Sequence, residues 1–190
     1  ALFAGNRVFA FSTLAALINY AAPFAVGVLL SMYFQWVRGL GAQAAGGLLA
    51  VQPLVQAGLS PFAGRLSDRV DPRLVASSGM GLIAFGLSLL ALVGPATPAA
   101  FVVACLVLLG AGFGLFSSPN TNAVMGSVER RSYGVASATL ATMRLVGQML
   151  SMGVASGVLA LFGGRDTIGP EHTAGFVAGM RTAFALYALL

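Results

Sequence analysis

Long blocks without charge organise this chain. No ionised side chain falls between Arg7 and Arg38, a run of 30 residues, and Gly39 to Gly64 adds 26 more. Leu74 to Val128 adds a further 55. A helix crossing the hydrocarbon core of a bilayer needs about 20 apolar residues, so each run can cross once and the last can cross twice. The last run divides at "VGPATPAA", where Gly94, Pro95 and Pro98 punctuate a turn. The pattern predicts six spanning helices, at about residues 9–36, 42–63, 72–93, 98–125, 134–162 and 173–190. Asp71-Pro72 and Thr97-Pro98 both read as helix starts, a capping side chain followed by proline at the first helical position.

Composition agrees with the pattern. Hydrophobic residues make up 58% of the chain and charged residues 8%, with a mean hydropathy of +0.91. Soluble domains carry about 25% charged residues. The fold class is therefore an all-α membrane protein, and residues 1–190 read as a single six-helix transmembrane bundle. Six helices can form two inverted three-helix units, a 3+3 repeat. The chain opens on Ala1 and shows no positively charged leader with a cleavage site. It is expected to begin partway through a longer polypeptide.

Charge placement sets an expected orientation. All ten basic residues are arginine. Arg7, Arg65, Arg69, Arg73, Arg130 and Arg131 fall on the side of the amino terminus, whereas the other side holds Arg38 and Arg165 with Asp166 and Glu171. Six against two predicts a cytoplasmic amino terminus in a multi-pass protein of the cytoplasmic membrane. A formal charge of +5 could suit nucleic acid, but the arginines are scattered between apolar blocks and form no basic face. Nucleic acid is therefore excluded as a partner, and membrane lipid is the partner implied. Cys105 is the only cysteine, and no cluster of metal-ligand spacing is present. No cofactor is expected. No nucleophile–base pair or phosphate cradle occurs either, so the chain does not read as an enzyme.

Small residues and prolines fill the spans. Gly110–Gly114, Gly153–Gly157 and Gly175–Gly179 have the GxxxG spacing that lets helices approach closely in lipid. "GAGFG" in the fourth span has a superficial likeness to a dinucleotide loop, but no strand precedes it. Pro23, Pro53, Pro61 and Pro119 lie within spans, where neighbours or water can satisfy the carbonyls that they free.

Candidate chemistry is sparse. Asp68, Asp71, Glu129, Asp166 and Glu171 all sit in loops or at helix ends. The protonatable carboxylate that a proton-coupled transporter usually buries in the membrane is absent from these residues. Arg144 is the sharpest signal, about ten residues and so roughly 15 Å into the fifth span. An arginine there should face a cavity or a partner. Ser137, Arg144, Gln148 and Ser151 share one helix face, as the wall of a water-filled path would. The plainer reading is that Arg144 bonds to carbonyls or an acid of a neighbouring helix. Gln52, Gln56 and Ser60 form a second stripe at i, i+4, i+8, readable as path lining or as helix–helix bonding, and Asn19 is similar. Phe113 and Phe116 beside Asn120 could line a lipophilic pocket or simply pack. Arg181 reads as a snorkelling residue and His172 as a solvated one.

Two stretches carry a resemblance. "GRLSDRVDPR", residues 64–73, gathers five of the 15 charges and joins the second and third predicted helices. It resembles the loop signature G-x-x-x-D-R-x-G-R-R of the major facilitator superfamily, with Gly64, Asp68, Arg69 and Arg73 matching. Asp71 stands where the pattern has glycine, and Pro72 where it has a basic residue. Residues 112–151, "GFGLFSSPNTNAVMGSVERRSYGVASATLATMRLVGQMLS", are similar to the carboxy-terminal half of fourteen-helix drug:proton antiporters. There a glycine-rich helix ends in a proline, a short basic loop follows, and the next helix carries an arginine with glycine three residues on, here Arg144 and Gly147. The resemblance implies one half of a two-bundle transporter exporting lipophilic small molecules against proton entry by alternating access. Its partners would be substrate, protons and the amino-terminal bundle of the same polypeptide. The loop would then act as a latch in which Asp68 pairs with an arginine or accepts from a neighbouring helix's start. The bland alternative is a topology signal, with Asp71 capping the third helix. Rival functions are transport of a particular metabolite or sugar, and a membrane scaffold that moves nothing. A scaffold would bury Arg144 against a helix, whereas a transporter would leave it reachable from water.

Overall fold

Proline and the side chains beside it set most helix boundaries in the computed structural model, which describes residues 6–21, 23–163 and 173–189. Asn6 caps α1 (Arg7–Ala21): its Oδ1 accepts the Phe9 N–H at 3.0 Å, and its Nδ2 donates to the Ser127 carbonyl. Pro23 opens α2 (Pro23–Met32), where its missing N–H costs nothing. A π-helical turn, Tyr33–Val37, completes that first span of 31 residues. The second predicted span is broken into α3 (Ala42–Leu49) and α4 (Val51–Ser67). Pro53 explains the break at Ala50, because its ring crowds the Leu49 carbonyl and offers it no hydrogen. At α5 (Pro72–Leu90), Asp71 Oδ1 accepts the Arg73 N–H at 2.9 Å, which is the predicted cap. Then come α6 (Ala99–Gly126), a 3-10 turn at Arg130–Ser132, α7 (Tyr133–Gly163) and α8 (Thr173–Leu189).

Every regular element among the described residues is helical. Four are long and apolar enough to cross a membrane: Arg7–Val37, Pro72–Leu90, Ala99–Gly126 and Arg130–Leu161. The second and sixth predicted spans fall outside that set, one because it is interrupted at Ala50 and the other because α8 has 17 residues. The predicted outer loop with Arg165, Asp166, Glu171 and His172 lies outside the described residues.

Packing follows the glycines. α6 lies against both α4 and α5, while α1 packs on α7. A Cβ on Gly79 would stand 2.6 Å from the Gly112 carbonyl oxygen, and one on Gly112 2.7 Å from that of Gly79, so α5 and α6 cross backbone to backbone. Gly110 brings α6 equally close to α4, an added Cβ standing 2.5 Å from the Gln52 carbonyl oxygen, and Gly114 makes a looser approach, 3.3 Å from that of Gln56. Gly147 does the same for α7 and α1, its absent Cβ leaving room for the Leu17 carbonyl. Gly153 and Gly157 have nothing within 4 Å of an added Cβ and serve no crossing among the described residues. With the spans numbered one to six, the pairing of one with five maps onto that of four with two when the halves are exchanged, as a 3+3 arrangement requires.

The two ends of the bundle differ. Toward the end where α1 starts and α6 finishes, hereafter the basic end, Phe9, Ala16, Val124, Ala136 and Leu140 form a small buried cluster. The opposite end holds the large core, including Leu29, Tyr33, Phe34, Leu90, Leu106 and Phe184. It is stitched by Tyr33 Oη, which donates to the Gly94 carbonyl at 2.9 Å.

Candidate functional site

The site is built around Arg144, the twelfth residue of α7 and so about 17 Å from its start. Gly147, one turn further on, lets α7 lie directly on α1 and so carries the Arg144 side chain towards Tyr20 and α6. Arg144 Nη2 donates to Thr121 Oγ1 at 2.9 Å. Thr121 Oγ1 in turn donates to the Ser117 carbonyl at 2.8 Å, which leaves its lone pairs for the guanidinium. The guanidinium carbon stands 5.1 Å from the centroid of the Tyr20 ring, within cation–π range. Tyr20 is itself placed by Ser117, 3.3 Å from hydroxyl to hydroxyl, and by the Phe113 ring at 6.2 Å. Arg144 Nε is buried with no hydrogen-bond partner.

No carboxylate balances this charge among the described residues. Their one ion pair is Arg131–Glu129 at 2.7 Å, on the surface. The guanidinium is held by a ring face and a hydroxyl instead. Arg144 is half-buried, so it is neither sealed against a helix nor fully open.

The other predicted residues divide. Gln148 is half-buried one turn from Arg144. Ser151 is fully buried and employed elsewhere: its hydroxyl accepts the Ala25 N–H at 3.0 Å, and its carbonyl accepts from Tyr187 Oη at 2.6 Å. Ser137 is exposed. Gln52 and Gln56 sit at the α4–α6 crossing, their carbonyls against Gly110 and Gly114. Asn19 and Asn120 are buried, with Asn19 Oδ1 and Asn120 Nδ2 unpaired. Asn120 and Phe116 line an apolar groove of about 530 Å³ between α1, α5 and α6 at the basic end, with Arg7 and Arg73 also in its wall. Phe113 packs on Tyr20 and does not line this groove. Arg181 Nε donates to the Ala91 carbonyl at 2.8 Å, at the end opposite the basic one.

In the charged loop, Gly64 packs against α6, where an added Cβ would meet Ser118 Oγ at 3.1 Å. Asp68 is exposed at the end of α4, and Arg69 and Arg73 are exposed beside it. None of them enters an ion pair among the described residues, so the predicted pairing of Asp68 with an arginine is not formed among these residues. Asp71 works as the cap.

Pattern reading missed Tyr20, Ser117 and Thr121. Tyr20 adjoins Asn19, and Ser117 and Thr121 stand at i, i+4 on the helix facing Arg144, a weak signal that gains meaning only once the arginine needs a partner.

Comparison with known proteins bears on this geometry. The family model of the Major Facilitator Superfamily matches residues 10–190. The uncharacterized transporter YebQ of Escherichia coli (strain K12) is 35% identical over 161 residues, 84% of this chain and 35% of that protein. The riboflavin transporter RibZ of Clostridioides difficile (strain 630) is 30% identical over 73% of this chain and 30% of its own length. The multidrug resistance protein Stp of Mycobacterium tuberculosis (strain CDC 1551 / Oshkosh) is 27% identical over 74% of this chain and 26% of its own. The chain thus spans about a third or less of each of these relatives.

Proposed function

Since the chain belongs to the Major Facilitator Superfamily, and is thereby an integral membrane protein of a transporter family rather than an enzyme, we propose that it is the carboxy-terminal six-helix half of a two-bundle exporter. In this reading the whole protein moves lipophilic small molecules out of the cytoplasm against proton entry. The amino-terminal bundle of the same polypeptide supplies the buried acid that is absent among the described residues. The observation that carries the reading is the half-buried Arg144, held by Thr121 and Tyr20 with Nε unpaired and no described acid beside it.

A fixed cation of this kind suits alternating access. Its charge is costly in lipid and gains from any group that brings an acceptor to Nε, whether a carboxylate of the other bundle or a polar atom of substrate. Such contacts can differ between the two states of a rocking transporter, and only differential contacts shift their balance. The multidrug name of Stp supports lipophilic substrates. The RibZ name favours a second reading, transport of one specific metabolite.

The test uses the full-length protein in energised inverted membrane vesicles. Lipophilic dyes should be accumulated when a proton gradient is imposed. Arg144→Ala should abolish that accumulation while the protein keeps its expression and elution profile. Full transport by this variant removes Arg144 from the mechanism. Accumulation of riboflavin with none of the dyes decides for the second reading.

A further inference from the structure

One edge of the Arg144 guanidinium is half-filled. Nε and Nη2 share that edge, with their N–H bonds pointing the same way at the spacing of two carboxylate oxygens. Nη2 donates to Thr121 Oγ1 at 2.9 Å, while Nε is buried with no hydrogen-bond partner. A hydroxyl brings a single oxygen, and here it meets a single donor of the pair.

The edge is also held in place. The Tyr20 ring lies against the guanidinium, 5.1 Å from its carbon, and limits how the plane can turn. Ser117 steadies both partners: its hydroxyl stands 3.3 Å from that of Tyr20, and its carbonyl accepts from Thr121 at 2.8 Å. A donor pair fixed in this way loses little freedom on taking an acceptor, which favours binding. The approach is polar and part-open, since Tyr20, Ser117, Thr121, Arg144 and Gln148 are all half-buried. Gln148, one turn on along the same face, adds an amide to it. The described carboxylates, Asp68, Asp71 and Glu129, are exposed at the basic end and do not reach the edge.

Given the place of Arg144 in the transport path, on which the inference rests, we propose that this edge recognises a carboxylate of the substrate. The transported class is then lipophilic organic acids, and lipophilic cations are refused. A carboxylate matches both donors at once and takes the place of the single hydroxyl. An ammonium group offers no acceptor and brings a like charge to a part-buried cation, where repulsion is strong. A neutral ester sets its carbonyl against one donor and leaves the other desolvated. The carboxylate has two sources, a substrate or an acid elsewhere in the full-length protein, and the two predict different binding.

The experiment uses three probes with one aromatic body: naphthoate, methyl naphthoate and naphthylmethylammonium. Their binding to the purified full-length protein is measured by equilibrium dialysis against protein-free micelles, without a proton gradient. The parent should bind naphthoate about tenfold more tightly than either of the others. Arg144→Gln should bring the three within about twofold of one another. Arg144→Lys, which keeps the charge but not the fork, should recover only part of the preference. The parent's preference decides alone if the variants do not fold. Equal binding of the three by the parent, or no binding at all, overturns the proposal. An acid of the protein seated on Arg144 gives that equality and leaves Arg144→Gln preferring the ammonium, which overturns it in favour of a structural ion pair. A uniform weakening of all three in Arg144→Gln, with the preference kept, makes Arg144 a support of the site and overturns it too. Dye accumulation without the preference removes this proposal and leaves the exporter reading standing. The preference without accumulation removes the exporter reading and keeps the carboxylate site.

Discussion

A guanidinium within an apolar helix costs about 2.5–3.5 kcal/mol to insert near the membrane centre, and the contacts of Arg144 can be weighed against that figure. A hydrogen bond from a charged donor contributes about 1.5–3 kcal/mol, and a cation–π contact about 0.5–2. Together they match the cost without a counter-ion, so Thr121 and the Tyr20 ring suffice to hold the arginine inside the bundle. The ring, rather than its hydroxyl, should be the larger contributor. Tyr20→Leu should therefore lower stability by about 0.5–2 kcal/mol, whereas Tyr20→Phe stays within about 0.5. Thermal unfolding of the full-length protein in detergent checks this, and equal losses for both would remove the ring from the account. Gly147 gives a sharper case. Its added Cβ would collide with the Leu17 carbonyl, so Gly147→Ala should cost about 1–3 kcal/mol. Gly81→Ala, with nothing within 4 Å of its Cβ, should be neutral or stabilising by up to about 1 kcal/mol, since alanine favours the helix.

Helix ends and breaks are where this sequence reads best and worst. Asp71-Pro72 was legible because both members of the cap lie side by side in the chain, and the structure forms the bond from Asp71 to the Arg73 N–H. The pairing that occupies Ser151 was not legible. The Ala25 N–H falls free because Pro23 begins a new helix in another span, and nothing in the pattern of α7 records that need. Ser151 shares a face with Arg144 and Gln148, so periodicity assigned it to a water path, while the fold closes it between α2 and α8. Arg144 itself was legible because a lone charge in an apolar run has few explanations. Its partners were not, because a tyrosine, a serine and a threonine in membrane helices are ordinary. The second span shows a similar limit: counting apolar residues found it, but only the clash of Pro53 with the preceding turn explains its break at Ala50. Two substitutions test these roles. Ser151→Ala strands a buried N–H and should cost about 1–3 kcal/mol, and Asp71→Ala about 1 kcal/mol through the lost cap. Both are read as shifts in unfolding midpoint. A Ser151→Ala protein as stable as the parent would return Ser151 to the list of path residues.

At the scale of the molecule, charge-free blocks separated by arginine clusters were enough to set the order of the helices, and arginine placement also implies which way they point. The basic end gathers Arg7, Arg65, Arg69, Arg73, Arg130 and Arg131. The exposed loop before α6, which includes Ala96, lies at the other end and has no charge between Gly94 and Pro98. Arginines in short loops near helix ends bias those loops to the cytoplasm, while acids contribute little. The exposed pair Glu129–Arg131 therefore leaves the imbalance in place, and as a surface pair it adds little stability. The expected topology has the basic end, with the mouth of the groove, facing the cytoplasm. Single cysteines at Ala96 and Glu129 in the full-length protein, with Cys105 replaced by serine, read this directly. A membrane-impermeant maleimide applied to intact cells should label Ala96→Cys at once and Glu129→Cys only after permeabilisation. The reverse order would place the arginines outside. It would also turn the groove and its two arginines towards the exterior, and an exporter drawing substrate from the cytoplasm would then have to receive it at the end closed by Tyr33, Phe34 and Leu90.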